Sequence, residues 1–506
     1  RAAVPGAGAV PPSVPRAELQ REGLAWLAVH SVADGVDDVH DALLHVYTQH
    51  RGTPLGTDAL AALQHSVDAA HASSDTARLA ALLPPLLAAP DSDAPAVLAL
   101  LARLVAHTGV KALAHLNALA SAACDAALAD DAAHVAAGLV LLAALFRALP
   151  QFLHAYVERA VGVLCNAHVL ELQRTRAPGV RAAHRVLQDA VVKRMPFATL
   201  LDALTRVYGH VDAVPLLHLL HLGVRGLDRA AVGAHYKPLF RFLLQAMALQ
   251  QDAGAGAELQ PAPARAIEVY LALALKLSES QFRPLFLRTY DWAAVDLLDT
   301  DDGAPDAGAT YARALVLYAL VGQLLERLRG MVTSYVAVVY DHARSLLAHD
   351  APPTPLWYAV VRALARSAEV DEGSFWNTAR ATQLVAPLLT PLPSLAADDR
   401  TALDAMARAL LAVAETVPDD TYLHALNTQL LTYASGGALR VRVHALELAA
   451  QVWDAHGANL LGFVPETVAQ LAELLDDADP RAAASALRLR RAIEAALGEP
   501  LDSYLA

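Results

Sequence analysis

Apolar residues recur along the chain at intervals of three and four. The first run is Leu19, Gly23, Trp26, Leu27 and His30, and the next is Val39, Leu43, Val46 and Tyr47. That is the period of a helix turning one stripe towards a core. Helical segments of roughly 12 to 20 residues follow one another, parted by short breaks rich in Pro, Gly or Asp at 51–57, 90–95, 178–179 and 209–212. Longer polar or Gly/Pro-rich interruptions at 252–263, 299–308, 350–355 and 391–399 predict surface loops or domain joints. No stretch alternates apolar and polar residues between hairpin turns, so the pattern predicts helices throughout and no sheet.

The last third repeats. Residues 438–453 and 479–493 overlay with Arg440 on Arg481, forty-one positions apart. Each copy opens on a small or acidic turn and an arginine, then places small residues and leucines where one helix must lie close to the next. Two-helix HEAT or armadillo units repeat at about 40 to 47 residues. A single helix pair cannot bury both of its faces, so a core arises only by stacking. The predicted fold class is all-α, a HEAT/armadillo-type α-solenoid of stacked antiparallel helix pairs.

Composition narrows the picture. Of the 506 residues, 55% are hydrophobic but only 6% aromatic, so the apolar bulk comes from helix formers such as alanine and leucine rather than from the residues that fill sheets. A single globular core stops growing near about 250 to 300 residues, which leaves several domains or an open-ended array. The 52 acidic against 39 basic side chains, a net charge of -13, argue against a protein that coats nucleic acid along its whole length. Cys124 and Cys165 each sit in an apolar helical stretch and read as buried thiols, not as a disulfide framework. The longest uncharged apolar run, 135–146, is shorter than the roughly 20 residues a bilayer requires, so no membrane partner is expected. The chain opens on Arg1, and its Pro/Ala-rich first residues lack the basic and apolar regions of a secretory leader. The expectation is the C-terminal part of a longer protein.

One block is distinctive. Residues 274–293 read Ala-Leu-Lys-Leu-Ser-Glu-Ser-Gln-Phe-Arg-Pro-Leu-Phe-Leu-Arg-Thr-Tyr-Asp-Trp-Ala. This order resembles the C-terminal domain of a family of large nucleolar HEAT-repeat proteins, that of U-three small nucleolar RNA-associated protein ten, or HEAT-repeat-containing protein one in animals. The C-terminus is similar too, with Pro465-Glu466-Thr467, the acidic Leu-rich run 471–477, Ile493-Glu494, Leu497-Gly498-Glu499 and 501–505 in the family's order. The resemblance runs from Leu216 to Leu505, and the alanine-heavy helices and the insert 252–263 are its departures.

The resemblance implies a non-catalytic scaffold of the nucleolar small-subunit processome, within its UtpA subcomplex, acting in pre-ribosomal RNA transcription and processing. Implied partners are other UtpA and processome proteins, WD-repeat subunits among them. Pre-ribosomal RNA or small nucleolar RNA would be reached directly or through those proteins. No cofactor and no small-molecule substrate is implied. The expected domains are a flexible segment 1–15, HEAT-like repeats 16–215, a family-specific domain 216–370 carrying the signature, and C-terminal repeats with a cap, 371–506. The competing class is a reversible adaptor or transport-type solenoid holding protein cargo.

Within the signature, Phe282, Leu285, Phe286 and Trp292 are expected to pack between helices, and Pro284 to open a helix where its missing N–H costs nothing. Lys276, Glu279 and Arg283 are spaced for a surface ladder. His218 with His221, or His40 with His45 and His50, form no ligand set, no Cys-x-x-Cys occurs, and Asp299, Asp301 and Asp302 miss the calcium-loop spacing. The sequence holds neither a nucleophile elbow nor a phosphate-cradling glycine loop, so no metal site and no reaction are assigned.

One segment reverses the acidic trend. Between 171 and 194 stand Arg174, Arg176, Arg181, Arg185, Lys193 and Arg194 against only Glu171 and Asp189. Such a cluster suits contact with RNA phosphates. The competing expectation is pairing with acidic faces of neighbouring repeats, because the segment has no aromatic residue for base stacking. A smaller cluster is Arg481, Arg488, Arg490 and Arg491. At the C-terminus, Asp479-Pro480 should start the last helix and Gly498 stop it, with Leu501, Tyr504 and Leu505 folding back over the final groove.

Overall fold

The computed structural model describes residues 21–24, 39–69, 76–89, 94–175, 177–254, 256–295, 307–348, 352–501 and 504. The chain divides into two compact units, Arg1–Leu227 and Asp228–Ala506. In the first, the helices are α1 (Val39–Gln49), α2 (Pro54–Ala69), α3 (Thr76–Ala81), α4 (Leu83–Leu87), α5 (Pro95–Thr108), α6 (Leu116–Ala127), α7 (Ala132–Ala148), α8 (Val157–Leu164), α9 (Ala167–Arg174), α10 (Pro178–Arg194), α11 (Phe197–Val207) and α12 (Ala213–Gly226). One row runs α2, α5, α7, α10, α12 and the other α6, α8, α11, with each helix packed on its neighbours in the row and on a mate across the layer.

The second unit contains α13 (Arg229–Met247), α14 (Pro261–Ala274), α15 (Glu279–Tyr290), α16 (Ala307–Leu328), α17 (Thr333–Leu347), α18 (Pro355–Glu369), α19 (Thr378–Leu389), α20 (Arg400–Thr416), α21 (Asp420–Ser435), α22 (Leu439–Leu460), α23 (Val464–Leu475) and α24 (Pro480–Leu497). Its first row is α14, α16, α18, α20, α22, α24 and its second α15, α17, α19, α21, α23. This is the all-α solenoid of antiparallel helix pairs that the period predicts. Among the described residues there is no strand, and the extended pairing is one isolated bridge between Tyr208 and Val211.

The breaks have local causes. Asp131, Asn166, Asp212, Asp228, Asn377, Asp399 and Asp419 each accept a backbone N–H in the first turn of the helix they precede, satisfying donors that have no partner within the helix. Prolines open α5, α10, α14, α18 and α24, where the lost N–H is one of those orphans. The break expected at 51–57 is shorter for the same reason, since Pro54 already occupies the first position of α2.

Pro284 corrects the sequence reading. It lies inside α15 and is exposed. The helix starts earlier because Ser278 and Gln281 form a reciprocal capping box, and this signal fixes the first turn ahead of the proline. The exposed side of the helix lets water serve the carbonyl that Pro284 leaves unpaired.

Close approach between helices, across the layer and along a row, depends on small residues. A Cβ on Gly138 of α7 would stand 2.5 Å from the backbone nitrogen of Ala127, and one on Gly457 of α22 would stand 2.3 Å from Cβ of Ala496 on α24. Two apolar stretches, Pro95–Ala127 and Gly308–Leu347, are long enough by composition to cross a bilayer. Each is interrupted by a tight turn, at Gly109–His115 and Arg329–Val332, and 50% and 56% of their apolar windows are buried against other helices.

Polar contacts lock the register of the last repeats. The Trp453 indole on α22 donates to Asn427 on α21 at 3.1 Å, and the Asn427 amide donates to Thr467 on α23 at 2.9 Å, all three buried. Between α18 and α19, the Asp371 carboxylate accepts from the backbone N–H groups of Ser374, Phe375 and Trp376 and from the Ser374 hydroxyl. Burial alone would raise its pKa, but these hydrogen bonds more than offset that and hold it below the ordinary aspartate value. The turn seats Phe375 and Trp376 against Tyr340.

At the C-terminus, Asp479 accepts the Arg481 N–H at 2.9 Å, Pro480 opens α24, and Gly498 ends it in the left-handed region at φ 79°. Leu501 is fully buried, its N–H bonded to Glu494 at 3.0 Å. Tyr504 does not fold back. It is 47% exposed and donates its hydroxyl to Glu499 at 2.9 Å, because a surface carboxylate satisfies the phenol without dehydrating it. Leu505 lies outside the described residues.

Deleting 479–506 removes Leu489, Ile493 and Leu501, all buried, at about 1.5 to 3 kcal/mol for each fully buried side chain. Size-exclusion chromatography should show the truncated chain aggregating, with its melting temperature lowered. Asp371→Ala should cost about 1 to 3 kcal/mol by denaturant unfolding. Because the folded pKa is depressed, the Asp371 contribution is present above the unfolded value of about 3.9 and disappears as pH falls through the folded value. The gap between parent and variant should therefore close in acid.

Candidate nucleic-acid interface

The basic segment is built on α9 and α10. Asn166 caps α9 by accepting from His168 and Val169, and α10 buries Val180, Ala183, Leu187 and Val191 on the side that packs against α7. His184 belongs to that buried side, with Nε2 3.0 Å from the Leu164 carbonyl. Burial lowers its pKa, so it is a neutral structural histidine. On the opposite side of α10, Arg181, Arg185, Asp189 and Lys193 follow at four-residue steps and are exposed.

Local pairs account for part of this charge. Arg174 lies 2.9 Å from Glu171, Lys193 lies 2.9 Å from Asp189, and the Arg181 guanidinium donates to the Gln173 carbonyl at 3.1 and 3.3 Å, tying α10 to the C-terminal end of α9. None of the cations described here reaches an acidic face of another repeat. Arg185 and Arg194 are exposed and carry no ion pair or hydrogen bond among the described residues. At about 100° of rotation per residue they point to opposite sides of α10, so the structure does not gather all the cations on one ridge. Arg176 lies outside the described residues.

The signature forms an aromatic knot. Phe282 and Phe286 of α15 meet the Tyr335 ring of α17 at 5.3 and 5.0 Å, and Phe282 meets Tyr270 of α14 at 6.5 Å. Phe282, Leu285, Phe286 and Trp292 are all buried. The Arg313 guanidinium lies over the Trp292 ring at 5.4 Å and donates to its carbonyl at 3.1 Å. The expected surface ladder does not form. Lys276 sits in the turn before α15, and the Glu279 carboxylate instead accepts the Tyr335 hydroxyl.

Cys124 and Cys165 are buried free thiols, and burial pushes both up, Cys165 to about 12. Among the described residues no group of three or more His, Cys, Asp or Glu side chains is placed to hold a metal ion. One charged arrangement escaped sequence reasoning. Glu447 of α22 is buried and bridges Arg400 of α20 and Arg488 of α24. Its sequence signal was a lone carboxylate inside the apolar run Ala445-Leu446-Glu447-Leu448-Ala449.

Residues 231–376 match the BP28CT (NUC211) domain, which encloses the signature block. The chain is 30% identical over 413 residues to U3 small nucleolar RNA-associated protein 10 of Mycosarcoma maydis, covering 72% of this chain and 18% of that one. It is 26% identical over 370 residues to the protein of the same name in Schizosaccharomyces pombe, covering 71% and 22%. HEAT repeat-containing protein 1 of Danio rerio is 24% identical over 396 residues, covering 70% and 18%. The chain thus spans about a fifth of the length of these curated relatives, and the family resemblance read from 274–293 is borne out. Among solved structures, the crystal structure of Kap121p aligns over 96% of this chain and 53% of that one at 13% identity and a TM-score of 0.39.

Phe286 is 2% exposed, whereas Leu287 beside it is 37% exposed. Phe286→Ala should destabilise the chain by about 3 to 5 kcal/mol, and Leu287→Ala should stay within about 0.5 kcal/mol, as read by the midpoints of urea unfolding.

Proposed function

We propose that this chain is the C-terminal portion of a non-catalytic HEAT-repeat scaffold acting in nucleolar ribosome biogenesis, within the UtpA subcomplex of the small-subunit processome. The observation that carries this reading is similarity along 72% of the chain to a protein named for its association with U3 small nucleolar RNA. The mechanism is positional. Two rows of helices offer long faces on which proteins, WD-repeat subunits among them, are fixed relative to one another. The family-specific domain 216–370 and the repeats and cap 371–506 present protein-docking faces. The cations of α9 and α10 add a direct contact to pre-ribosomal RNA phosphates in which Arg185 and Arg194, which have no partner among the described residues, carry most of the attraction.

Tagged chain expressed in cells and purified in mild salt should bring down processome proteins with pre-ribosomal and U3 RNA, and imaging should place it in nucleoli. Recovery of free protein from bulk nucleoplasm, without those RNAs, would sink the scaffold reading. In the purified chain, Arg185→Glu with Arg194→Glu should weaken RNA binding and flatten the plot of log affinity against log salt by about two contacts' worth, with unchanged circular dichroism. Equal slopes and affinities would remove the RNA contact and leave the protein scaffold standing.

A further inference from the structure

The bridge at Glu447 sits at the edge of a pocket of about 350 Å³ on the first-row face of α20, α22 and α24, lined by Arg400, Glu447, Gln451, Asp454, Arg488 and Arg491. That volume is within the range of pockets that take a small ligand or a few side chains. The Glu447 side chain is only 6% exposed, while Arg400 and Arg488 are 65% and 60% exposed. Arg400 grips both carboxylate oxygens, and Arg488 touches one at 3.5 Å. A buried carboxylate between two guanidiniums fixes their direction, so their remaining N–H donors are held towards the pocket at little further cost in side-chain entropy. Arg491 lines the same pocket with no hydrogen bond or ion pair among the described residues.

We propose that this pocket is a docking site for an acidic segment of a partner protein, with an Asp or Glu side chain of that segment seated against Arg488 and Arg491. Charge complementarity selects this occupant. The lining holds three guanidiniums and two carboxylates, and Glu447 is already occupied by two of the guanidiniums. One added carboxylate balances the charges of the side chains that line the pocket. A nucleic acid backbone carries a charge at every nucleotide and would meet Asp454 on the wall and Asp404, one turn along from Arg400, whereas a peptide can place its carboxylates singly. The site is separate from the cations of α9 and α10 and does not rest on their contact with RNA.

The test uses the 506-residue chain and fluorescence polarisation of a labelled decapeptide of alternating glutamate and alanine, with a ten-nucleotide oligouridylate and inorganic phosphate as competitors. Arg491→Gln, which breaks no ion pair or hydrogen bond among the described residues, should weaken peptide binding about fivefold or more with unchanged melting temperature, and Arg488→Gln, which leaves the Arg400 bond to Glu447, should weaken it by as much. Glu447→Gln should also weaken it by freeing the two guanidiniums to move, although the pocket becomes more positive. Oligouridylate and phosphate should compete poorly. Peptide binding equal to the parent in Arg491→Gln and Arg488→Gln, or stronger binding in Glu447→Gln, would overturn the proposal. Displacement of the peptide by phosphate or oligouridylate at lower concentration than by unlabelled peptide would reassign the pocket to phosphate groups and overturn it equally.

Discussion

Everything in this chain depends on how closely one helix can approach its neighbours, along its row and across the layer. A helix pair has two faces to bury and only one mate, so the second face must be covered by the following repeat. With aromatics at only 6%, the interior cannot be filled by a few large side chains. It is filled by many leucines and valines meeting across alanines and glycines, and close packing makes each missing methylene costly. Gly138 under Ala127 and Gly457 under Ala496 mark two places where even a methyl group would push neighbouring helices apart.

Apolar packing of this kind is not directional, and helices bearing many similar alanine and leucine stripes can slide past one another. Buried polar contacts supply the missing register. Trp453, Asn427 and Thr467 link three helices through hydrogen bonds that exist in one alignment only. Glu447 gives the same service in charged form, since a buried carboxylate without both arginines would be strongly destabilising. The functional consequence is a face whose arginines keep fixed directions. Under the proposed scaffold role, such fixed directions are what a partner would recognise.

The signature block shows how packing and family identity coincide. Phe282 and Phe286 are distinctive in sequence because few aromatics compete with them, and in the structure they knot α14, α15 and α17 together. The surface of the same helix is less constrained. Pro284 sits in mid-helix on the exposed side, Leu287 is part-exposed, and Glu279 leaves the expected ladder for the Tyr335 hydroxyl.

Local chemistry is written in the sequence. The helical period, the Asp and Asn caps, the opening prolines, the stop at Gly498 and the burial of Cys124 and Cys165 all follow from interactions within a few residues or from composition. Partnerships across repeats are not. Arg440 and Arg481 align in sequence, yet the Arg440 guanidinium donates to the Pro393 carbonyl while that of Arg481 turns to its own Asp479. The cations between 171 and 194 form one cluster in sequence, but helical rotation sends Arg185 and Arg194 to opposite sides and local carboxylates take Arg174 and Lys193. Glu447 is one acidic residue among many until Arg400 and Arg488, forty-seven and forty-one positions away, close on it. The sequence by itself determined an all-helical stack and its family, because those depend on short-range periodicity and on a contiguous motif. Only the tertiary structure decided which charges are spent internally and which face outward, because pairing depends on distances between residues a whole repeat apart.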